Sequence, residues 1–169
     1  MFDSDSEETE QNKTLMRQAN YLSHKCDTII DDWHEFGTMG AIKDDLNLFI
    51  ITTHAAIEDV TTHIIIRHVI DEQFTDAAFD YVYSSMSQSH REQLLAECGI
   101  LSDTTRGRLG EFRGLRNSVA HVPFVQLNWK DQNIEEKLVN ATKALERLTH
   151  AALDEGRITE IVQRDDEGV

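Results

Sequence analysis

Apolar residues recur at steps of three and four along most of this chain. In residues 12–36 they fall at Leu15, Ala19, Leu22, Cys26, Ile29, Trp33 and Phe36. That spacing keeps them on one face of a helix turning about 100° per residue. The segment FGTMG breaks the run, with Gly37 and Gly40 as stop signals. Residues 41–73 resume it through Leu46, Phe49, Ile50, Thr53, Ile57, Val60 and Ile64. Within that stretch TTHIIIRHVI is rich in β-branched residues and would pass locally for a strand. The period holds through it and no turn signal interrupts it, so the pattern predicts helix.

A shorter helix is predicted around 75–84. SHREQLLAECG predicts another, with Ser89 and Glu92 placed as a capping box and Gly99 as its stop. The next runs from about Asp103 to Ala120. Pro123 disfavours helical geometry at Val122, so this helix should end near His121. VPFVQLNW reads as an extended connection. The last helix spans about 133–155, with Ile134, Leu138, Ala141, Leu145, Leu148 and Ala152 on its stripe. Short connections between long amphipathic helices predict an all-α fold, an antiparallel bundle with one or two shorter helices.

Composition and charge refine this picture. A chain of 169 residues, 40% hydrophobic, suits one domain with a real core. The net charge is −15, and it is unevenly spread. Residues 1–10 carry −5 and residues 154–169 carry −4. We therefore expect a flexible acidic tail over 1–11, a helical domain over 12–153 and a second acidic tail over 154–169. Six lysines stand against ten arginines. An acidic, lysine-poor surface suits a halophilic, high-salt cytoplasm as well as it suits an ordinary acidic protein. The N-terminus has neither a basic n-region nor an apolar h-region, and no apolar run reaches transmembrane length. A cytoplasmic protein away from the membrane is expected. Cys26 and Cys98 form no CxxC pattern; Cys26 falls on an apolar stripe and reads as a buried free thiol.

Against the acidic background, RGRLGEFRGLRNSVAH (106–121) gathers Arg106, Arg108, Arg113 and Arg116 against a single acid, Glu111. Arginine presents a planar fork that grips phosphate oxygens in pairs. Histidine exchanges protons near neutral pH. On a continuous helix Arg116 and His121 lie roughly 140° apart, and they converge on one ligand only if the last turn unwinds. Arg116 also borders the stripe of Leu109, Phe112 and Val119, where a permanent cation needs an anionic partner or an interface. Asn117 can hold the imidazole or a ribose hydroxyl. The plainer alternative is a histidine satisfying the last carbonyls of its helix beside solvated arginines. No metal or cofactor is expected. His54 and Glu58 are four apart and share a face, but two groups do not make a ligand set. His63 and His68 do not complete one. Trp33 and Trp129 read as packing residues.

LRNSVAH at the end of an amphipathic helix, preceded by a long helix containing AAIEDV, resembles the HEPN superfamily (higher eukaryotes and prokaryotes nucleotide-binding domains). Its hallmark is R-x4-6-H with a polar residue after the arginine, here Arg116, Asn117 and His121. The resemblance implies a metal-independent endoribonuclease, a toxin or defence effector, in which the 2′-hydroxyl of RNA attacks the neighbouring phosphate. Arg116 would stabilise the transition state and His121 would act as general acid or base. Arg113 would support them, and Glu58 would match an acidic position that orients Arg116 or His121. The resemblance further implies a homodimer with two motifs in one cleft, RNA or a nucleotide as ligand and an antitoxin as protein partner. The alternative is a HEPN-like module that binds nucleotide or protein without catalysis; the intact Arg116/His121 pair favours the enzyme, while the strong negative charge counts against general RNA binding.

Overall fold

The computed structural model describes residues 4–121 and 128–153. Six helices account for most of them: α1 (Ser4–Phe36), α2 (Met39–Ile64), α3 (Thr75–Asp80), α4 (Gln88–Glu97), α5 (Asp103–His121) and α6 (Ile134–Leu153). The described residues contain no strand. The fold is all-α, as the periodicity predicts.

Each long helix buries its apolar stripe. In α2 this places Ile42, Leu46, Phe49, Ile50, Thr53, Ile57, Val60 and Ile64 in the core. In α6 every one of Ile134, Leu138, Ala141, Leu145, Leu148 and Ala152 is buried. In α1, Ala19, Leu22, Cys26 and Ile29 are buried, whereas Phe36 at the end of its stripe is exposed. Burial pushes the Cys26 thiol up to about 12, keeping it protonated and unreactive. α1, α2 and α6 pack against one another, and α5 packs on α6 with lighter contacts to α2 and α4. Only Gly37 and Thr38 separate α1 from α2, so these two helices must run antiparallel. Gly37 makes the reversal at φ +66°, a left-handed conformation that costs glycine nothing. The Trp33 and Trp129 rings stack 4.8 Å apart and 14° from parallel, tying the end of α1 to the turn that leads into α6.

Several boundaries differ from expectation. α1 begins at Ser4, so most of the segment expected as a flexible acidic tail is helical. Acidic residues in a first turn favour the positive end of a helix dipole, which hydrophobic periodicity does not register. Gly40 lies inside α2, and Thr38, in an extended conformation, precedes that helix as its cap. The run IIIRHV is helical, but Ile65–Val69 widens into a π-turn before the chain extends at Ile70. α3 likewise passes into a π-turn at Tyr81–Ser85. The cap of α4 is Ser87, whose hydroxyl accepts from the His90 N–H, and not Ser89. Glu92 makes no capping box because its carboxylate is drawn into the protein. Gly99 does stop α4, at φ +72°. The expected connection 122–129 lies mostly outside the described residues, as does the acidic tail 154–169.

Phe112, on α5, is fully buried in the core. Phe112→Ala is expected to cost about 3–5 kcal/mol, read as a lowered midpoint in guanidinium unfolding.

Candidate functional site

A polar cluster is built where α4 and α5 meet α2. Its centre is Glu92, whose side chain is 2% exposed. One carboxylate oxygen accepts from Gln88 Nε2 at 3.1 Å. The other forms an ion pair with Arg113 of α5. Gln88 Oε1 in turn accepts from the Thr61 hydroxyl of α2 at 3.1 Å and from Arg91 at 3.2 Å. Arg91 is itself buried. Its Nε and Nη2 donate to the Val82 carbonyl at 3.0 and 2.8 Å, and Nη2 also donates to the Tyr83 carbonyl at 2.9 Å. Those carbonyls belong to the π-turn after α3, so Arg91 caps backbone that its own segment leaves unsatisfied. Buried charges held this way are matched by partners on three elements.

The cluster reaches the surface through Glu58. Its Oε1 lies 3.6 Å from Arg91 Nη1, and its Oε2 lies 3.7 Å from His54 Nδ1, one turn earlier on α2. The His54 side chain is only 12% exposed. Burial lowers its pKa, and the positive charge of Arg116 lowers it further; Glu58 and Glu92 pull the other way. Asp59, the next residue, is raised by burial and by its neighbour Glu58.

The residues of the motif separate into two groups. Arg113 is structural, committed to the buried Glu92 carboxylate. Arg116 is exposed, and Nη1 donates to Asn117 Oδ1 at 3.2 Å. On the helical wheel Arg116 follows Leu109 and Phe112, which are buried, yet it is exposed at the edge of that face, while Leu115 and Val119 beside it still pack on the core. Its charge reaches His54 of α2. α5 stays helical through His121, so the last turn does not unwind and Arg116 and His121 remain on different sides of it. His121 is exposed. Asn117 bonds to Arg116 and not to His121. Glu58, expected to orient Arg116 or His121, contacts His54 and Arg91. The signal for this was in the sequence as the i, i+4 spacing of His54 and Glu58. Nothing local pointed to Arg91, Gln88 or Glu92.

Beside the cluster, between α4 and α5, a polar cleft of about 270 Å³ is lined by Arg106 and Arg113 among others. Both are already matched with carboxylates, Arg106 with Asp103 at 3.3 Å and Arg113 with Glu92. Among the described residues no three His, Cys, Asp or Glu side chains gather as a metal-binding group. No helix of the described residues is long and apolar enough to cross a membrane. In comparisons with known proteins, no family model, no curated protein and no solved structure matches this chain.

The two arginines should respond differently to truncation. Arg113→Ala leaves the Glu92 carboxylate buried without its cation and is expected to cost about 3 kcal/mol. Arg116→Ala removes an exposed side chain and should stay within about 0.5 kcal/mol of the parent protein. Urea unfolding of the two variants side by side checks both values.

Proposed function

We propose that this protein is an endoribonuclease of the HEPN type, cleaving RNA without a metal ion by attack of the 2′-hydroxyl on the adjacent phosphate. One observation carries the reading. Arg91, Arg106 and Arg113 are matched by protein partners and Arg108 is half-buried, whereas Arg116 is exposed and, among the described residues, donates to the amide oxygen of Asn117. That leaves its fork open to the oxygens of a phosphate. In this role Arg116 stabilises the charge that develops on the phosphorus oxygens, His121 exchanges a proton with the reacting oxygens, and Asn117 holds the arginine in place. A toxin or defence effector restrained by an antitoxin is the biological setting this activity fits.

Two copies of the chain complete the site in this reading. Within one chain the continuous α5 helix turns Arg116 and His121 apart. Two α5 ends facing one cleft bring the arginine of one copy toward the histidine of the other. Leu48 and Ile51, on the face of α2 next to His54, are 59% and 60% exposed and offer an apolar surface for the second copy. Along α5 an added Cβ at Gly107 or Gly114 would meet nothing within 4 Å in the single chain. Each of these glycines costs an exposed helix about 1 kcal/mol relative to alanine, a cost that close approach of another chain would explain. The same separation of Arg116 and His121 is what favours the second reading, a binding module without catalysis.

Three proteins incubated with RNA in EDTA separate these readings. The parent protein should cleave and leave 2′,3′-cyclic phosphate ends. Arg116→Lys keeps the charge but loses the fork, and should stay folded with most activity gone. His121→Ala should lose about 10²–10³ in rate with an unchanged melting temperature. No cleavage by the parent protein favours the binding module, and cleavage restored only by added metal overturns the metal-independent mechanism. In sedimentation, the parent protein should be a dimer and Ile51→Glu a monomer. A parent protein that stays monomeric at high concentration, in low and high salt, removes the shared cleft.

A further inference from the structure

The pair His54 and Glu58 is too small for a metal site and is not part of the R-x4-H motif. The structure gives it a position. His54 sits on α2 at the edge of the core, in the field of Arg116 from α5. Its Nδ1 faces the Glu58 carboxylate, and Glu58 is held from its other side by buried Arg91. A carboxylate at Nδ1 favours the tautomer with its proton on that nitrogen. The lone pair is then on Nε2.

Resting on the ribonuclease reading above, we propose that His54 is the proton acceptor of this site, oriented by Glu58 and placed beside the phosphate that Arg116 binds. In the step this assigns, the 2′-O–H bond breaks and its proton passes to Nε2 of His54. The 2′-oxygen forms its bond to phosphorus. The bond from phosphorus to the 5′-oxygen breaks, and that oxygen leaves with a proton from His121. The order Arg91, Glu58, His54 follows the logic of an oriented base, with the Glu58 carboxylate 3.7 Å from Nδ1 of His54 and 3.6 Å from Arg91, where its charge favours the Nδ1–H tautomer and the imidazolium that forms.

The environment suits a base more than an acid. An acceptor must be neutral at the working pH, and His54 is kept neutral by burial and by Arg116. The charges acting on it are Glu58 on its own helix, Glu92 from α4 and Arg116 from α5; Arg91 in turn pairs with Glu58 and Arg113 with Glu92. Where titratable groups are set in different surroundings, one half-buried and one exposed, acid and base roles divide between them. Here His54 is the enclosed group and His121 the exposed one.

The test is the pH dependence of RNA cleavage by the full chain, run beside an NMR titration of the His54 imidazole. The parent protein should lose activity as pH falls through the His54 pKa, which lies below the ordinary value of 6.5. His54→Gln should lose about 10²–10⁴ in rate, and what activity remains should lack that acidic fall. Glu58→Gln guards against a His54 variant that does not fold. Removing the Glu58 charge lowers the His54 pKa, so the acidic fall and the NMR titration should move together to lower pH. Packing alone would not couple the two. A His54→Gln protein with parental rate and profile overturns the proposal and leaves the ribonuclease reading standing. So does an acidic fall that ignores the His54 titration in the parent and in Glu58→Gln. A parent protein that cleaves no RNA at any pH overturns both.

Discussion

A carboxylate shut away from water must be matched or it destabilises the fold by several kcal/mol. Glu92 is such a group, and the way it is matched organises the upper part of this molecule. Arg113 meets it from α5 and Gln88 from its own helix. Gln88 then binds Thr61 of α2 and Arg91. Arg91 closes the π-turn after α3 and steadies Glu58. One buried charge thus ties α2, α4 and α5 together and holds the short α3 region through its carbonyls. The apolar stripes of α1, α2 and α6 supply the driving force for folding. Such contacts tolerate substitution if volume is kept, whereas a matched carboxylate accepts few alternatives.

This arrangement also sorts the arginines. A cluster of cations in an acidic chain invites the view that all of them face a polyanion. Two of the four on α5 do not: Arg113 serves the fold, as does Arg91 of α4, and Arg106 pairs with an acid on its own helix. Of the other two, Arg108 is half-buried, and Arg116 stands exposed at the motif end of the helix. The site proposed here is therefore small, with one arginine, one amide and two histidines in unlike surroundings. A local site of this kind answers part of the objection from net charge, since it needs one phosphate held well and not a long basic surface.

The helices themselves were legible because amphipathic periodicity is a local property. A residue's neighbours at three and four positions are fixed by the helical turn, whatever the rest of the chain does. That is why every residue of the stripes of α2 and α6 is buried, and why TTHIIIRHVI could be read as helix despite its composition. Gly37 and Gly99 were legible for the same reason, each being a local backbone requirement. The start of α1 was missed because acidic residues carry no hydrophobic period. The cap of α4 was misplaced because Ser87 and Ser89 both precede a hydrophobic run, and only the geometry of one hydroxyl against one N–H decides between them.

The sequence by itself determined the all-α fold, most helix boundaries and the residue types R, N and H near the end of α5. It also placed His54 and Glu58 on one helical face. Only the tertiary structure decided that Glu92 is buried, that Arg113 is spent on it and that Glu58 faces His54 and Arg91 while Arg116 stays at the surface. It alone brought His54 within the electrostatic reach of Arg116. The physical reason is that charge pairing across helices depends on which faces meet, and those faces are brought together by apolar burial that takes no account of the charges at its edge.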